Sequence, residues 1–340
     1  MSATIILDCD PGIDDALAIA FAVGHPGIEL AGITTVAGNV ALDKTTANAL
    51  AVASFVGAGG VPVTAGCAAP LLRPARHAGH VHGESGLGSA VLPPPGRAAE
   101  DGHAIDYIVS AIAAAPGEIT LVATGPLTNI ALALHREPRL ARWVRDFVIM
   151  GGSAGRGNVS HAAEFNIWAD PEAASVVFGA GWTVRMIGLD VTLRARATAA
   201  VQERMRELGV LGADLLLPAL ARYADSAVAP GGRPPAPPDK HGGVAPGGRP
   251  PAPPGKRGDY AGEPPVHDVC AVVSVVSPEI FTYTPAAVQV ETTGRLTSGM
   301  TVTEFFPSII PNAAVATDID VDRFWDLVLR TYASLAATLG

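Results

Sequence analysis

Short apolar runs alternate with longer amphipathic stretches through the first 190 residues of this chain. Thr4–Leu7 is a β-branched run, and Asp14–Val23 has helical spacing. Leu30–Val36 predicts a second strand and Leu42–Val56 a second helix. Ile119–Ala123 predicts a strand with a helix from about Leu127. Phe147–Met150 and Val184–Ile187 are further strands, with a helix from Pro171 between them. Strands and helices in turn predict an α/β protein, with a mostly parallel central sheet flanked by helices. The composition agrees, because 49% of the residues are hydrophobic and only 16% charged. Strands buried on both faces need that apolar excess. In such sheets a ligand sits beyond the carboxyl ends of the strands, so functional residues are expected just after them.

The last third reads differently. Val201–Asp225 predicts one helix, followed by a Pro/Gly-rich stretch at 228–262. That stretch holds a direct repeat, VAPGGRPPAPPDKHGG at 228–243 and VAPGGRPPAPPGKRGD at 244–259. Such a composition predicts an extended, flexible insertion rather than a packed repeat, and a duplicated loop is its plain reading. Beyond it, His267–Ser277 predicts a helix start, Ala287–Thr292 a strand and Asp322–Leu339 the final helix.

The net charge of −9 disfavours a nucleic-acid partner, since phosphates would be repelled. Cys9, Cys67 and Cys270 are too scattered for a disulfide framework or a metal-ligand spacing. They read as free thiols in a reducing compartment. The first residues lack the basic region of a signal peptide. No apolar run reaches the roughly 18 residues of a membrane span. The expected setting is cytoplasmic, without a membrane partner.

Chemistry concentrates at Asp8-Cys9-Asp10-Pro11-Gly12-Ile13-Asp14-Asp15, immediately after the first strand. Carboxylates that open a helix can cap it and gain from its dipole, which accounts for one or two of them. Asp10, Asp14 and Asp15 together would repel one another unless a cation or shared protons compensate. All-oxygen ligation suits Ca²⁺ or Mg²⁺. A solvated capping turn stays open as the other reading. Further polar residues recur past strand ends: Gly38-Asn39, Thr124-Gly125, and Glu164-Phe165-Asn166; His267-Asp268 opens a late helix. Each alone is ordinary, since an Asn after a strand is usually a turn residue.

Seven segments in order resemble the inosine–uridine-preferring nucleoside hydrolases. They are DCDPGIDDALAI at 8–19, ITTVAGN at 33–39, AGHVHGESG at 78–86, ATGPLTNI at 123–130, VIMGG at 148–152, AEFNIWADPEAA at 163–174 and VHDVCAV at 266–272. The resemblance implies the Rossmann-like nucleoside hydrolase fold as a single domain over 1–340, interrupted chiefly by the 228–262 insertion. It implies hydrolysis of purine or pyrimidine ribonucleosides to base and ribose, with inversion, in nucleoside salvage, by a homodimer or homotetramer. It implies Ca²⁺ as cofactor, held by Asp10, Asp15, Asp268 and the backbone carbonyl of Thr124, with the ribose hydroxyls completing the shell. Asp10 would be the general base toward an ion-activated water. Asp14 and Asn166 would hold the ribose 2′- and 3′-hydroxyls, and Asn158 and Glu164 the 5′ end. Asn39 would help position water and ribose, His82 would line the base side, and His267 would assist departure of the base.

These residue types suit the reaction. Breaking a ribosyl C–N bond builds oxocarbenium character in the sugar. The water then needs activation, the vicinal hydroxyls need amides and carboxylates, and the leaving base needs a donor. A calcium-dependent nucleoside-binding protein would keep the sugar grip without needing Asp10, Asn39 and His267 together. A DxD-type phosphatase would need a phosphate-binding lysine near the later motifs, and none is there. Arg222, Tyr223 and Tyr260 flank the insertion without an evident match to the family, leaving base preference open.

Overall fold

The computed structural model describes the backbone of residues 2–228 and 262–339, and side chains at 2–223 and 262–339. Residues 229–261, which take in the repeat of 228–259 after Val228 and also Tyr260, lie outside the described residues. The described strands are β1 (Ala3–Cys9), β2 (Ile28–Thr35), β3 (Val63–Ala65), β4 (Ile119–Ala123), β5 (Asp146–Met150), β6 (Val184–Ile187), β7 (Phe281–Val290), β8 (Thr301–Glu304) and β9 (Ala313–Ile319). They form one sheet in the order β3-β2-β1-β4-β5-β6-β9-β7-β8. Every neighbouring pair from β3 to β9 is parallel. Only β7 runs against β9 and β8. The expected mostly parallel sheet is what forms.

Pleating sends alternate side chains to opposite faces. In β1, Ile5, Leu7 and Cys9 enter one apolar layer and Ile6 the other, all fully buried. Each such aliphatic side chain contributes about 1.5–3 kcal/mol on burial. The helices Ile13–Gly24, Leu42–Phe55, Asp268–Val276 and Val321–Leu339 supply the first layer. Ala104–Ala114, Thr128–Arg136 and Pro171–Phe178 supply the second. Among the described residues no helix is long and apolar enough to cross a membrane.

Two elements depart from expectation. The helix expected over Val201–Asp225 is broken into Ala199–Arg206, a π-helical turn at Leu211–Leu216 and a helix Leu217–Val228. Gly209, at φ +56°, takes the left-handed turn that interrupts it. Strand β7 begins at Phe281, six residues before the expected Ala287, and carries Pro285 within it. β8 pairs only with Ala287–Val290, so Pro285 has β9 on one side and no strand on the other. A proline is tolerated at such an edge position, where its missing N–H costs no ladder bond.

Candidate active site

The chain steps outward from β1 to β2 and β3, then returns past β1 to build β4, β5 and β6. The direction of winding reverses between β1 and β4, and a crevice opens at such a switch point beyond the strand ends. Asp10 follows β1, Asn39 follows β2 and Thr124 follows β4, so three adjacent strands deliver these residues to one place. The ladder continues one step past the strands, with the Thr124 N–H on the Asp8 carbonyl at 2.8 Å and the Val36 N–H on the Cys9 carbonyl at 3.0 Å.

Asp10, Asp14, Asp15 and Asp268 are all buried. Carboxylate oxygens of Asp14, Asp15 and Asp268 lie within 4.8 Å of one another, a group that could hold a metal ion. Helix packing makes this meeting, because Asp14 and Asp15 open Ile13–Gly24 and Asp268 opens the helix laid against it. Asp15 is held on all sides. Its Oδ2 accepts from the Gly12 N–H at 2.9 Å and Asn39 Nδ2 at 3.1 Å, and its Oδ1 from the Thr124 hydroxyl at 2.9 Å. The Gly12 bond is the capping role open to any carboxylate here, and the other bonds exceed it. Asp10 Oδ2 accepts from the Asn39 backbone N–H at 2.6 Å, whereas its Oδ1 is buried with no hydrogen-bond partner among the described residues. Gly38 and Gly125 press on this carboxylate: a Cβ at Gly38 would lie 2.0 Å from Asp10 Oδ2 and one at Gly125 2.8 Å from Oδ1.

Burial, and then repulsion from Asp15, holds the Asp10 carboxyl well above the usual carboxylate range. Burial followed by Asp14, Asp15 and Asp10 does the same to Asp268. Burial raises Asp15, and burial with Asp15 pushes Asp14 up to about 7. Buried anions this close need a compensating positive charge or must keep protons. Their donors are all oxygen, which fits a hard divalent cation. The group that could hold an ion is Asp14, Asp15 and Asp268, and Asp10, with its bare Oδ1, is tied beside it through Asn39.

Asn166 sits beside them. Its Nδ2 donates to the Thr124 carbonyl at 2.7 Å and the Met150 carbonyl at 3.0 Å. Glu164 caps the helix Phe165–Ala169, with Oε1 on the Asn166 N–H at 2.9 Å and Oε2 on the Gly152 N–H at 2.9 Å. Burial raises its carboxyl to about 7. Asn158 is not drawn in: it stands exposed on the loop after β5, its backbone N–H on the Ala163 carbonyl at 3.1 Å. His82, on the short helix Gly79–His82, is buried and its Nδ1 accepts from the Ile13 N–H at 3.1 Å. Burial lowers His82 to about 3 and His267 to about 4, so both rings are neutral near pH 7. The Tyr223 ring lies between them, 6.0 Å from His82 and 6.1 Å from His267.

Sequence reasoning did not single out four further contributors. Asn48 ties the Pro11 carbonyl at 2.9 Å to the Ser85 carbonyl at 2.8 Å and so braces the acidic turn. Asn129 and Thr34 hold Asp8 Oδ1 at 2.8 and 2.6 Å. Thr192 contacts His267 Nδ1 at 2.7 Å. Thr192 follows β6 closely, and the strand-end rule that marked Asn39 would have marked it too.

Known proteins carry the same pattern. The family model described as inosine-uridine preferring nucleoside hydrolase matches residues 5–326. An inosine-uridine preferring nucleoside hydrolase of Leishmania major is 44% identical over 333 residues, covering 97% of each chain. One from Crithidia fasciculata is 41% identical over 333 residues, again covering 97% of each. The solved purine-preferring ribonucleoside hydrolase from Gardnerella vaginalis superposes with a TM-score of 0.85 at 31% identity, over 98% of this chain and 99% of its own. Sequence and backbone agree from the first strand to the last helix, and this chain belongs to the inosine-uridine preferring nucleoside hydrolase family.

Proposed function

We propose that the chain hydrolyses the N-glycosidic bond of ribonucleosides by direct attack of water, with inversion at the sugar carbon and Ca²⁺ as its cofactor. The observation that carries this reading is the set of four buried carboxylates at the switch point, one with a bare buried oxygen. Asp10, Asp15, Asp268 and the Thr124 carbonyl would hold the ion, with Asp14 close enough to share it. When bound, the ion supplies a Lewis acid that makes water more acidic and steadies the vicinal ribose hydroxyls. Asp10 Oδ1 takes the proton from the attacking water. Asn39, which bridges Asp10 and Asp15, keeps that oxygen aimed. Asp14 and Asn166 receive the 2′- and 3′-hydroxyls, and Glu164 and Asn158 take the 5′ end. His82, Tyr223 and His267 form the base side, and His267 stabilises the departing base. A protein that only bound nucleosides would need Asp10 at most to hold the ion, and would not need a base and the His267 donor together.

Relatives are named for inosine and uridine and for purines, so the substrate range is read as both base classes. Buried free thiols at Cys9, Cys67 and Cys270 support the expected reducing, cytoplasmic setting for salvage. Self-association as a homodimer or homotetramer belongs to the same reading, on the resemblance.

Release of free base from inosine, uridine, cytidine, adenosine and guanosine tests the function. Turnover is expected with Ca²⁺ and to fall at least about 100-fold on chelation, the loss of several kcal/mol of transition-state stabilisation. Tight binding without turnover of any nucleoside overturns the assignment. Gly38→Ala tests the position of Asp10. Its new methyl meets Oδ2 and Pro126 Cδ, and a displacement of about 1 Å at a reacting group costs roughly 100-fold. A kcat loss of that size is expected together with a lowered melting temperature from overpacking; an unchanged kcat in the folded variant would sink the placement.

A further inference from the structure

We infer that Thr192 is a positioning residue for His267, its buried hydroxyl holding the imidazole as the tautomer with the proton on Nε2. This rests on the leaving-group role given to His267 above. Thr192 is fully buried, on the turn Leu189–Thr192 that follows β6. Its Oγ1 lies 2.7 Å from His267 Nδ1. Its backbone groups are already used, the N–H on the Gly188 carbonyl at 3.1 Å and the carbonyl receiving the Ala195 N–H at 3.1 Å.

Two assignments of the 2.7 Å contact are conceivable. If Nδ1 carried the proton and donated, the Thr192 O–H would need another acceptor, and the described residues give it none. A buried hydroxyl proton left unpaired costs about 1–3 kcal/mol. With Thr192 donating, both groups are satisfied, and a neutral ring then carries its proton on Nε2. Nε2–H is a donor that can hydrogen-bond the base as the C–N bond breaks and its electron pair moves onto the base nitrogen. The other tautomer would present a lone pair to that growing negative charge.

The frame around the contact is independent of it. The Val266 N–H donates to the Ala195 carbonyl at 2.9 Å and the Ala197 N–H to the Pro264 carbonyl at 2.8 Å. Arg196 and Pro265 complete the bridge between the two segments. The His267 backbone N–H also lies near the Asp14 carboxyl and favours its ionised form. Removing one hydroxyl therefore leaves the segment docked while freeing the ring to turn or change tautomer.

Thr192→Val and Thr192→Ser are compared on inosine and on a nitrophenyl riboside, whose phenolate leaves without a hydrogen-bond donor. Thr192→Val is expected to lower kcat for inosine about tenfold, a part of what a positioned acid–base group contributes. KM should stay within about twofold, the nitrophenyl riboside should be cleaved at the parent rate, and Thr192→Ser should recover inosine turnover. Equal losses on both substrates, or none on inosine, overturn the inference. ¹⁵N-histidine spectra, with His267→Gln for assignment, read the tautomer directly. Nε2–H in the parent and its loss in Thr192→Val support the inference, and Nδ1–H in the parent overturns it. If the parent cleaves no ribonucleoside the functional reading fails by itself, and the spectra still decide the role of Thr192.

Discussion

Asp10→Asn is expected to lower turnover of inosine by about 10³-fold, within the range for removal of a positioned general base, and to leave the folded protein at least as stable. The two effects share one cause. Asp10 is buried among Asp14, Asp15 and Asp268, so its negative charge is unfavourable to the fold unless a cation compensates. Asparagine keeps the volume, and its amide oxygen can still accept the Asn39 N–H that now bonds Oδ2. The oxygen without a partner, Oδ1, is replaced by an amide nitrogen that cannot take a proton from water. The substitution thus removes a base and a cation ligand while relieving repulsion. Steady-state kcat at saturating Ca²⁺, paired with melting curves with and without the ion, separates these consequences. A variant that keeps more than about a tenth of parental kcat would remove Asp10 from the base role, since such a group contributes at least about 100-fold. A variant that melts well below the parent in chelator would show that the charge is not the strained element.

The architecture was legible because its causes are local. The alternation of Ile5 and Ile6 between two apolar layers follows from pleating alone. The acidic turn after β1 was readable for the same reason: one strand end, one tight turn and one helix start place Asp10, Asp14 and Asp15 within six residues. Pro285 shows where local reading stops. Whether a proline breaks a strand depends on which neighbour lies beside it, and β8 reaches only as far as Ala287. Asp268 and His267 became part of the site only through the ordered resemblance, because nothing near them in sequence points to a cluster some 250 residues away. Thr192 stands where the strand-end rule points, but its contact to the His267 ring, like the place of Tyr223 between two rings, is set by packing. Asn158 was named by resemblance alone, and its exposure on the loop after β5 leaves its place in the 5′ grip to experiment.

Without a divalent cation, thermal stability is expected to fall as pH rises from about 4 to about 7, and Ca²⁺ to offset that fall. Burial raises Asp8 and Asp14 from 3.8, and Glu164 from 4.5, to about 7 in the folded chain. Below their ordinary values both folded and unfolded chains hold these protons, and the contribution to stability is fully present. As pH climbs through that window the unfolded chain releases them while the folded chain retains them. The unfolded state then binds fewer protons, so stability declines with pH until the folded groups ionise near 7. Glu137 and Asp318 are shifted the other way by arginine partners, Arg139 and Arg194, but Asp318 and both arginines are exposed and the pairs are screened. Buried His82 and His267, lowered to about 3 and about 4, also gain stability as pH rises, but the raised carboxyls of Asp8, Asp10, Asp14, Asp15, Glu164 and Asp268 outnumber them and set the sign of the slope. A cation in the cluster favours the ionised carboxylates, so its binding strengthens over the same range in which the apo chain weakens. At a hundredfold excess over its dissociation constant it adds about 2.7 kcal/mol, a rise in melting temperature of about 5 °C. Melting curves from pH 4 to 7, in chelator and in Ca²⁺, measure both branches. Asp268→Asn, which removes a carboxyl raised well above its ordinary value, is expected to flatten the chelator branch and shrink the calcium increment. A melting temperature that rises with pH in chelator would mean that the carboxylates are already compensated within the protein. The cluster would then have no electrostatic need for an ion, and the Ca²⁺ assignment would fall with it.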